Sequence, residues 1–415
     1  MNKLSKRWVA DRVAKAMKVM PVVVITGARQ AGKTTLARML FPDRKYLSLD
    51  RLDVLEQAQK DPLSLIQNAP MTLDEVQHAP SILKAIKQRV DDDRKPGLFL
   101  LTGSAQLPLL RHVSESLAGR AFYLDLSPFC PAEWRGDDRM ADMIGDINDG
   151  TPDVKDWEGS PDSNWTSDLL YGGYPPVFAA KDSDERDIWF AGYLQTYLER
   201  DLRDLSAVSS LPDFQRLMRL SAQRTSRLLN ISELARDAHI SQPTASRYMN
   251  LLETGCQIMR LRCYASNASK TYMKSAKLMF TDSGLAAWLA GIRNSSELMR
   301  RSDAGFWLEQ AIYQTLHSWQ SLDPVSRQIF YWRERDKAEV DFVLSEGDQL
   351  ACVEVKSGQM VRPDDLNGIL RFRQAMKLSP KKCPAVVFYA GSTARVVADH
   401  ISALPFHRLF SKRER

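Results

Sequence analysis

One octapeptide restricts this chain more than any other feature. Gly27-Ala28-Arg29-Gln30-Ala31-Gly32-Lys33-Thr34 fits the pattern G-x-x-x-x-G-K-[ST], which has chemical meaning only between a strand and a helix. Both flanks comply. Pro21-Val22-Val23-Val24-Ile25-Thr26 is a β-branched run that reads as a buried strand. Thr35-Leu36-Ala37-Arg38-Met39-Leu40 is helical in character and ends before Pro42. Strand, glycine loop and helix in that order aim successive backbone N–H groups at one anion, and the glycines let the chain bend and approach it closely. The segment from Gly27 to Thr35 is therefore expected to cradle the phosphates of ATP. Lys33 would reach the β- and γ-phosphates, and the Thr34 hydroxyl would sit on Mg2+.

A second buried strand should bring an acid to the same sheet edge. Met71-Thr72-Leu73-Asp74-Glu75 supplies two adjacent acids where ligands bind in open α/β sheets. Asp74 is expected in the Mg2+ shell, and Glu75 is expected to orient and deprotonate the attacking water. Binding alone needs one acid, so the pair points to hydrolysis. A third strand, Leu98-Phe99-Leu100-Leu101-Thr102, ends in Gly103-Ser104-Ala105-Gln106. Ser104 or Thr102 is the candidate contact to the γ-phosphate or the water.

At 415 residues the chain has room for about three domains. With 44% hydrophobic and 26% charged residues it can bury a large core, and no apolar run approaches the roughly 20 residues that span a bilayer. The basic, amphipathic amino terminus carries Leu4, Trp8, Val9, Val13 and Met17 at helical spacing and is expected to pack on the first domain. Five scattered cysteines without a C-x-x-C pair predict reduced thiols, a cytoplasmic setting and no zinc site. A net charge of +6 permits nucleic acid without requiring it.

The segment from Asp137 to Asp168 is acidic and rich in Gly, Pro and Ser, and is expected to be a surface loop with no packed core. From Leu169 to Leu220 the pattern turns helical, with Trp189, Tyr193, Tyr197, Leu198, Leu202 and Leu205 at three- and four-residue steps, as in a lid over a nucleotide. Two short helices follow, with Ser232 and Ser241 as expected N-caps and Pro243 in a first turn: a helix-turn-helix. The stretch from Gln257 to Tyr264 alternates apolar residues with Arg260 and Arg262 as a strand does, and Lys270, Lys274 and Lys277 come after it. Together these parts resemble a winged helix. Thr244, Ser246 and Arg247 would face a DNA groove, and the basic hairpin would hold phosphates.

The last third reads as an α/β domain with its own acids. Gly347-Asp348 makes a hairpin turn between Glu339-Val340-Asp341-Phe342-Val343-Leu344 and Leu350-Ala351-Cys352-Val353-Glu354-Val355-Lys356. Centred there, Asp341 opposes Glu354 and Glu339 opposes Lys356. One face, Val340, Phe342, Leu344, Ala351, Val353 and Val355, must be buried. Opposed carboxylates about 5 Å apart destabilise a sheet, and a divalent cation between them removes the repulsion. A helix around Gly305–Ile312 can bring Glu309 to the same point. Arg333 and Arg335, just ahead of the hairpin, are placed to grip a phosphate backbone.

These segments resemble two known families. The glycine loop, Leu73-Asp74-Glu75-Val76-Gln77, Leu101-Thr102-Gly103-Ser104, Leu126-Ser127-Pro128-Phe129, Gly172-Gly173-Tyr174-Pro175 and Tyr197-Leu198-Glu199-Arg200-Asp201 resemble a bacterial AAA-type ATPase that precedes a nuclease-like domain. Such modules act as homo-oligomeric rings, here a ring of six, in which an arginine contacts the neighbour's γ-phosphate. Arg120 fits best by position, ahead of Arg200 and Arg203. Glu309, Asp341, Glu354 and Lys356 resemble the PD-(D/E)xK nuclease core, whose acids bind Mg2+ and whose lysine activates water. Gln374 resembles a further polar residue of some such nucleases.

The resulting expectation is an α/β chain in four parts: an ATPase core (1–165), a helical lid (166–222), a winged helix (223–295) and a nuclease-like domain (296–415). Its partners would be DNA and its own copies, without a membrane. It would act either as an ATP-driven machine on DNA, or as an ATP-dependent switch for a protein partner with an inactive nuclease-like domain.

Overall fold

A computed structural model describes residues 6–103, 117–150, 152–157, 164–196, 208, 210–265, 275–334 and 338–410. Ser104, Arg200, Arg203, Lys270, Lys274 and Arg335 lie outside the described residues. The chain divides into two compact units. One is Lys6–Pro128 with Leu251–Gln257, and the other holds the rest from Phe129 onward.

The first unit runs α1 (Ala10–Met17), β1 (Val22–Thr26), α2 (Lys33–Leu40), β2 (Lys45–Ser48), α3 (Leu52–Lys60), α4 (Pro62–Ile66), β3 (Met71–Asp74), α5 (Ile82–Asp92), β4 (Phe99–Thr102) and β5 (Ala121–Asp125). Its five strands are all parallel, in the order β2-β3-β4-β1-β5. Every residue of β1 is buried, as suits a Val-Val-Val-Ile run covered on both faces. The core gathers Val22, Val24, Leu73, Leu101, Ile82 and Ile86, where truncating one such side chain to alanine costs about 2–5 kcal/mol. Because the strands are parallel, the ends of β1, β3 and β4 share one edge, which positions the loop after β1 beside Asp74 and Thr102. The amino-terminal helix packs on this core as expected, burying Val13 and Met17.

The second unit opens with α6 (Pro131–Arg135) and α7 (Arg139–Asp149). The acidic segment is therefore not a bare loop. Met140, Met143, Ile144 and Ile147 recur at three- and four-residue steps and are buried, Gly150 ends the helix at φ +77°, and Trp157 beyond it is fully covered. Aspartates occupy the outer face of α7 and dominate the composition, while the apolar stripe decides the fold.

Next come α8 (Trp165–Tyr171), α9 (Pro175–Phe178), α10 (Ser183–Thr196), α11 (Leu211–Ala222), α12 (Ile231–Asp237) and α13 (Gln242–Thr254). The last two are the pair of helices expected of a helix-turn-helix, with Ser241 receiving the Thr244 N–H. The start of α12 is capped by Asn230, which accepts from Glu233 N–H at 3.1 Å; Ser232 already lies inside the helix. An antiparallel pair follows, β6 (Ile258–Leu261) with β7 (Lys277–Phe280), then α14 (Ser283–Leu289), α15 (Ser295–Arg300) and α16 (Ala304–Leu322). Buried Asp282 caps α14 and also accepts the Gly173 N–H at 2.6 Å, so Gly172-Gly173 serves a backbone junction.

The carboxy-terminal sheet consists of β8 (Arg327–Glu334), β9 (Ala338–Glu346), β10 (Gln349–Val355), β11 (Ala385–Tyr389), β12 (Arg395–Ala398) and β13 (Ile401–Pro405), ordered β12-β13-β11-β10-β9-β8, with α17 (Asn367–Met376) against β9. The β9–β10 pairing runs from Gln349↔Glu346 to Val353↔Phe342, the register expected from a Gly347-Asp348 turn. The six residues expected on its apolar face are all buried. A Cβ on Gly368 of α17 would lie 1.9 Å from the Glu339 carbonyl, so only glycine lets that helix approach the strand so closely. The helix α7 packs on β10, β9 and β11, closing this sheet from an earlier part of the chain.

Candidate functional site

The loop after β1 is built from positions that exclude side chains. Gly27 adopts φ +136°, and a Cβ there would meet the Leu126 carbonyl at 2.2 Å. Gly32 sits at φ +100°, immediately before α2. Lys33 opens that helix and is buried. Its ammonium donates to the carbonyls of Gly27 at 2.9 Å and Ala28 at 2.8 Å. Burial pushes the lysine below its ordinary pKa range, opposed by nearby Glu75, Cys256, Asp125 and Asp74. Arg7, ahead of α1, donates to the carbonyls of Ala31 at 3.0 Å and Ser127 at 2.6 Å and so braces the loop from behind. Only the general packing of the amino terminus was legible in the sequence; this clamp was not.

Asp74 collects hydroxyl donors. Thr34 lies 3.2 and 3.0 Å from its two oxygens, Tyr46 donates at 2.5 Å, and Thr102 donates from the end of β4. Thr102, one of the two residues expected to sense the nucleotide, thus contacts the acid. Tyr46 was missed, because its role depends on the pairing of β2 with β3, which brings Ser48 opposite Asp74. Glu75 follows in a left-handed conformation, φ +56° and ψ +45°, rare outside glycine and concentrated at functional positions. Its carboxylate accepts from Gln77. A Mg2+ shell fits these residues: a hydroxyl and a carboxylate already within hydrogen-bond distance, beside the glycine loop.

Arg120 is engaged within its own chain. Its guanidinium grips Asp91 at 2.5 and 3.0 Å and donates to the Ala118 carbonyl at 2.9 Å. To reach a neighbour's phosphate it would first have to break that fork.

The residues expected to face DNA are partly consumed by local contacts. The Thr244 hydroxyl lies 2.8 Å from that of Ser241, Arg260 donates to Asn250 at 2.6 Å, and Arg247 lies over the Tyr248 ring. Ser246 is half-buried, Arg262 is exposed, and Arg333 is 3.8 Å from Glu339. Gln374 is exposed on α17.

The acids of the carboxy-terminal sheet do converge, but on a lysine. Lys277, expected among phosphate contacts of a basic hairpin, is buried at the start of β7. Its ammonium lies 2.5 Å from Glu339, 3.2 Å from Glu309 and 3.7 Å from Asp341. Burial alone would lower its pKa, but the carboxylates outweigh this and hold it above the ordinary lysine range. The other Asp341 oxygen accepts the Val355 N–H at 2.8 Å, and Lys356 pairs with Glu354 at 2.7 Å. Burial, then the neighbouring Asp341, push the Glu354 carboxyl up to about 8. Among the described residues no three His, Cys, Asp or Glu side chains are arranged to hold a metal ion. A divalent ion joining Glu309 and Asp341 would have to displace the Lys277 ammonium, so the cluster as it stands does not fit the metal of a PD-(D/E)xK core.

Comparison with known proteins agrees with the first unit. Residues 20–134 match the family model described as AAA domain, so the α/β core with its glycine loop is an AAA-type ATPase domain. Residues 163–296 match a domain of unknown function, DUF8612, and residues 304–409 match another, DUF4143. Over 411 residues, 98% of this chain and 85% of theirs, the chain is 26% identical to uncharacterized protein Mb2031c of Mycobacterium bovis and uncharacterized protein Rv2008c of Mycobacterium tuberculosis. Among solved structures, a Walker-type ATPase of Pyrococcus abyssi is 16% identical with a TM-score of 0.40, covering 68% of this chain and 94% of its own.

Proposed function

We propose that this protein is a Mg2+-dependent ATPase that couples hydrolysis to engagement of DNA, working as a ring of its own copies. The observation that carries the ATPase reading is the convergence of Lys33, Thr34, Asp74 and Glu75 at one sheet edge. When bound, Mg2+ neutralises phosphate charge and orients the triphosphate. Lys33 exchanges its loop carbonyls for phosphate oxygens. Thr34 and Asp74 would hold the ion, with Tyr46 and Thr102 fixing the carboxylate. Glu75, set apart by its backbone turn, takes a proton from the attacking water.

The DNA part of the reading is supported by the helix-turn-helix of α12 and α13, which exposes Gln242 and Arg247 at the start of its second helix. ATP turnover measured with duplex, single-stranded, forked and four-way DNA tests it. Stimulation that falls steeply with salt is expected.

A second reading has an observation of its own. Lys277 among the acids, and Arg260 and Arg333 engaged locally, favour an ATP-driven switch for a protein partner. Turnover indifferent to every DNA would select it.

A further inference from the structure

We infer that Lys277 takes the place of a divalent cation among the acids of the carboxy-terminal sheet, so that Glu309, Asp341 and Glu354 form a latent cation site which strand β7 keeps closed. The inference stands apart from the ATPase reading, and either can fail alone.

The ammonium is not a passing neighbour. It reaches acids carried by two elements, Glu309 on α16 and Glu339 and Asp341 on β9, with its side chain only 3% exposed. It lies 5.6 Å from the centre of the Tyr331 ring on β8, and its strand pairs with β6 at Leu261. The surrounding charges are the carboxylates of Glu309, Glu339, Asp341 and Glu354 against the cations of Lys277, Lys356 and Arg333. Without Lys277 the buried acids would face one another with too little compensation.

One atom is left over. Glu354 Oε2 is buried with no hydrogen-bond partner, although Oε1 is held by Lys356. An orphaned carboxylate oxygen beside Asp341 is a ligand atom in waiting. A hard divalent cation is the chemistry that would satisfy it once the ammonium is gone. While Lys277 stays, its ammonium occupies the space between Glu309, Glu339 and Asp341 and leaves no position for an ion that activates water. The domain is then a fold for contacts, and phosphodiester cleavage is not its task.

The test uses the full, nucleotide-free chain with Mn2+ as the probe, read by electron paramagnetic resonance and thermal unfolding. Wild type should show no Mn2+ uptake that depends on Asp341. Lys277→Met should gain about one equivalent, and Mn2+ at roughly ten times the dissociation constant should raise its melting temperature by about 2–4 °C. Adding Asp341→Asn should remove both effects, which separates this site from the ATPase loop. If Lys277→Met is too unstable alone, Lys277→Met with Glu339→Gln removes one acid with the lysine while keeping Glu309, Asp341 and Glu354, and the same gain is expected. Uptake by wild type that Asp341→Asn abolishes would overturn the inference. So would failure of both Lys277 variants to bind Mn2+ or be stabilised by it, folded or not.

Discussion

The Thr34 hydroxyl stands 3.0 Å from the Asp74 carboxylate, joining the first turn of α2 to the end of β3. This contact holds the two halves of the nucleotide site together. Chemistry at the site is therefore expected to respond to residues on either side of it in different ways.

On the loop side, Lys33→Ala removes the buried ammonium that bonds the loop's own carbonyls. Charge-assisted hydrogen bonds of this kind are each worth about 1.5–3 kcal/mol. Affinity for ATP is expected to fall by about 10²-fold or more, as measured by fluorescent-nucleotide titration. Retained affinity would mean that phosphate is held elsewhere.

On the strand side, Glu75→Gln keeps the size and the backbone but removes the carboxylate proposed as the base. Binding should persist while turnover drops about 10²–10⁴-fold. Hydrolysis at the parental rate would show that Glu75 is not the group that readies water.

Tyr46→Phe and Thr102→Val each take one donor from Asp74 without touching the loop. Outer partners of this type typically change metal affinity about 10–100-fold. The Mg2+ concentration giving half-maximal turnover should rise by about 10-fold in each, with metal-free nucleotide affinity unchanged. Equal loss of both properties would assign these residues to general packing.

His317, buried on α16, gives a pH signature in stability. Burial lowers its pKa from 6.5 to about 4. Between those values the unfolded chain binds a proton that the native chain refuses. Its contribution is thus fully present above pH 6.5 and is lost as pH falls toward 4, by at most about 3 kcal/mol. Denaturation midpoints across that window should fall less steeply in His317→Phe than in wild type. Parallel slopes would mean that His317 titrates alike in both states.

The sequence revealed whatever depends on neighbours along the chain. The glycine loop, its strand and its helix are one local motif, and the β9–β10 register followed from the turn at Gly347-Asp348. What it concealed depends on distant partners. Lys277 reads as one more basic residue near a hairpin, and nothing local says that Glu309 and Glu339 will enclose it. Tyr46 has no motif and acquires its role through strand pairing alone. The segment holding α7 misled by composition, since aspartates outnumber the few apolar residues that determine its fate. Asn230 displaced Ser232 as a cap because both suit the position, and only the start of the helix at Ile231 decides between them.

That same α7 bears on how the protein can be made and dissected. During synthesis it leaves the ribosome well before the strands it will cover, so its apolar stripe must wait, or find temporary shelter, until β10 and β11 emerge. A fragment cut to the homologous region 304–409 would lack this roof and also the Trp157 ring, which lies 5.4 Å from that of Phe388 on β11; its aggregation would say nothing about the intact molecule.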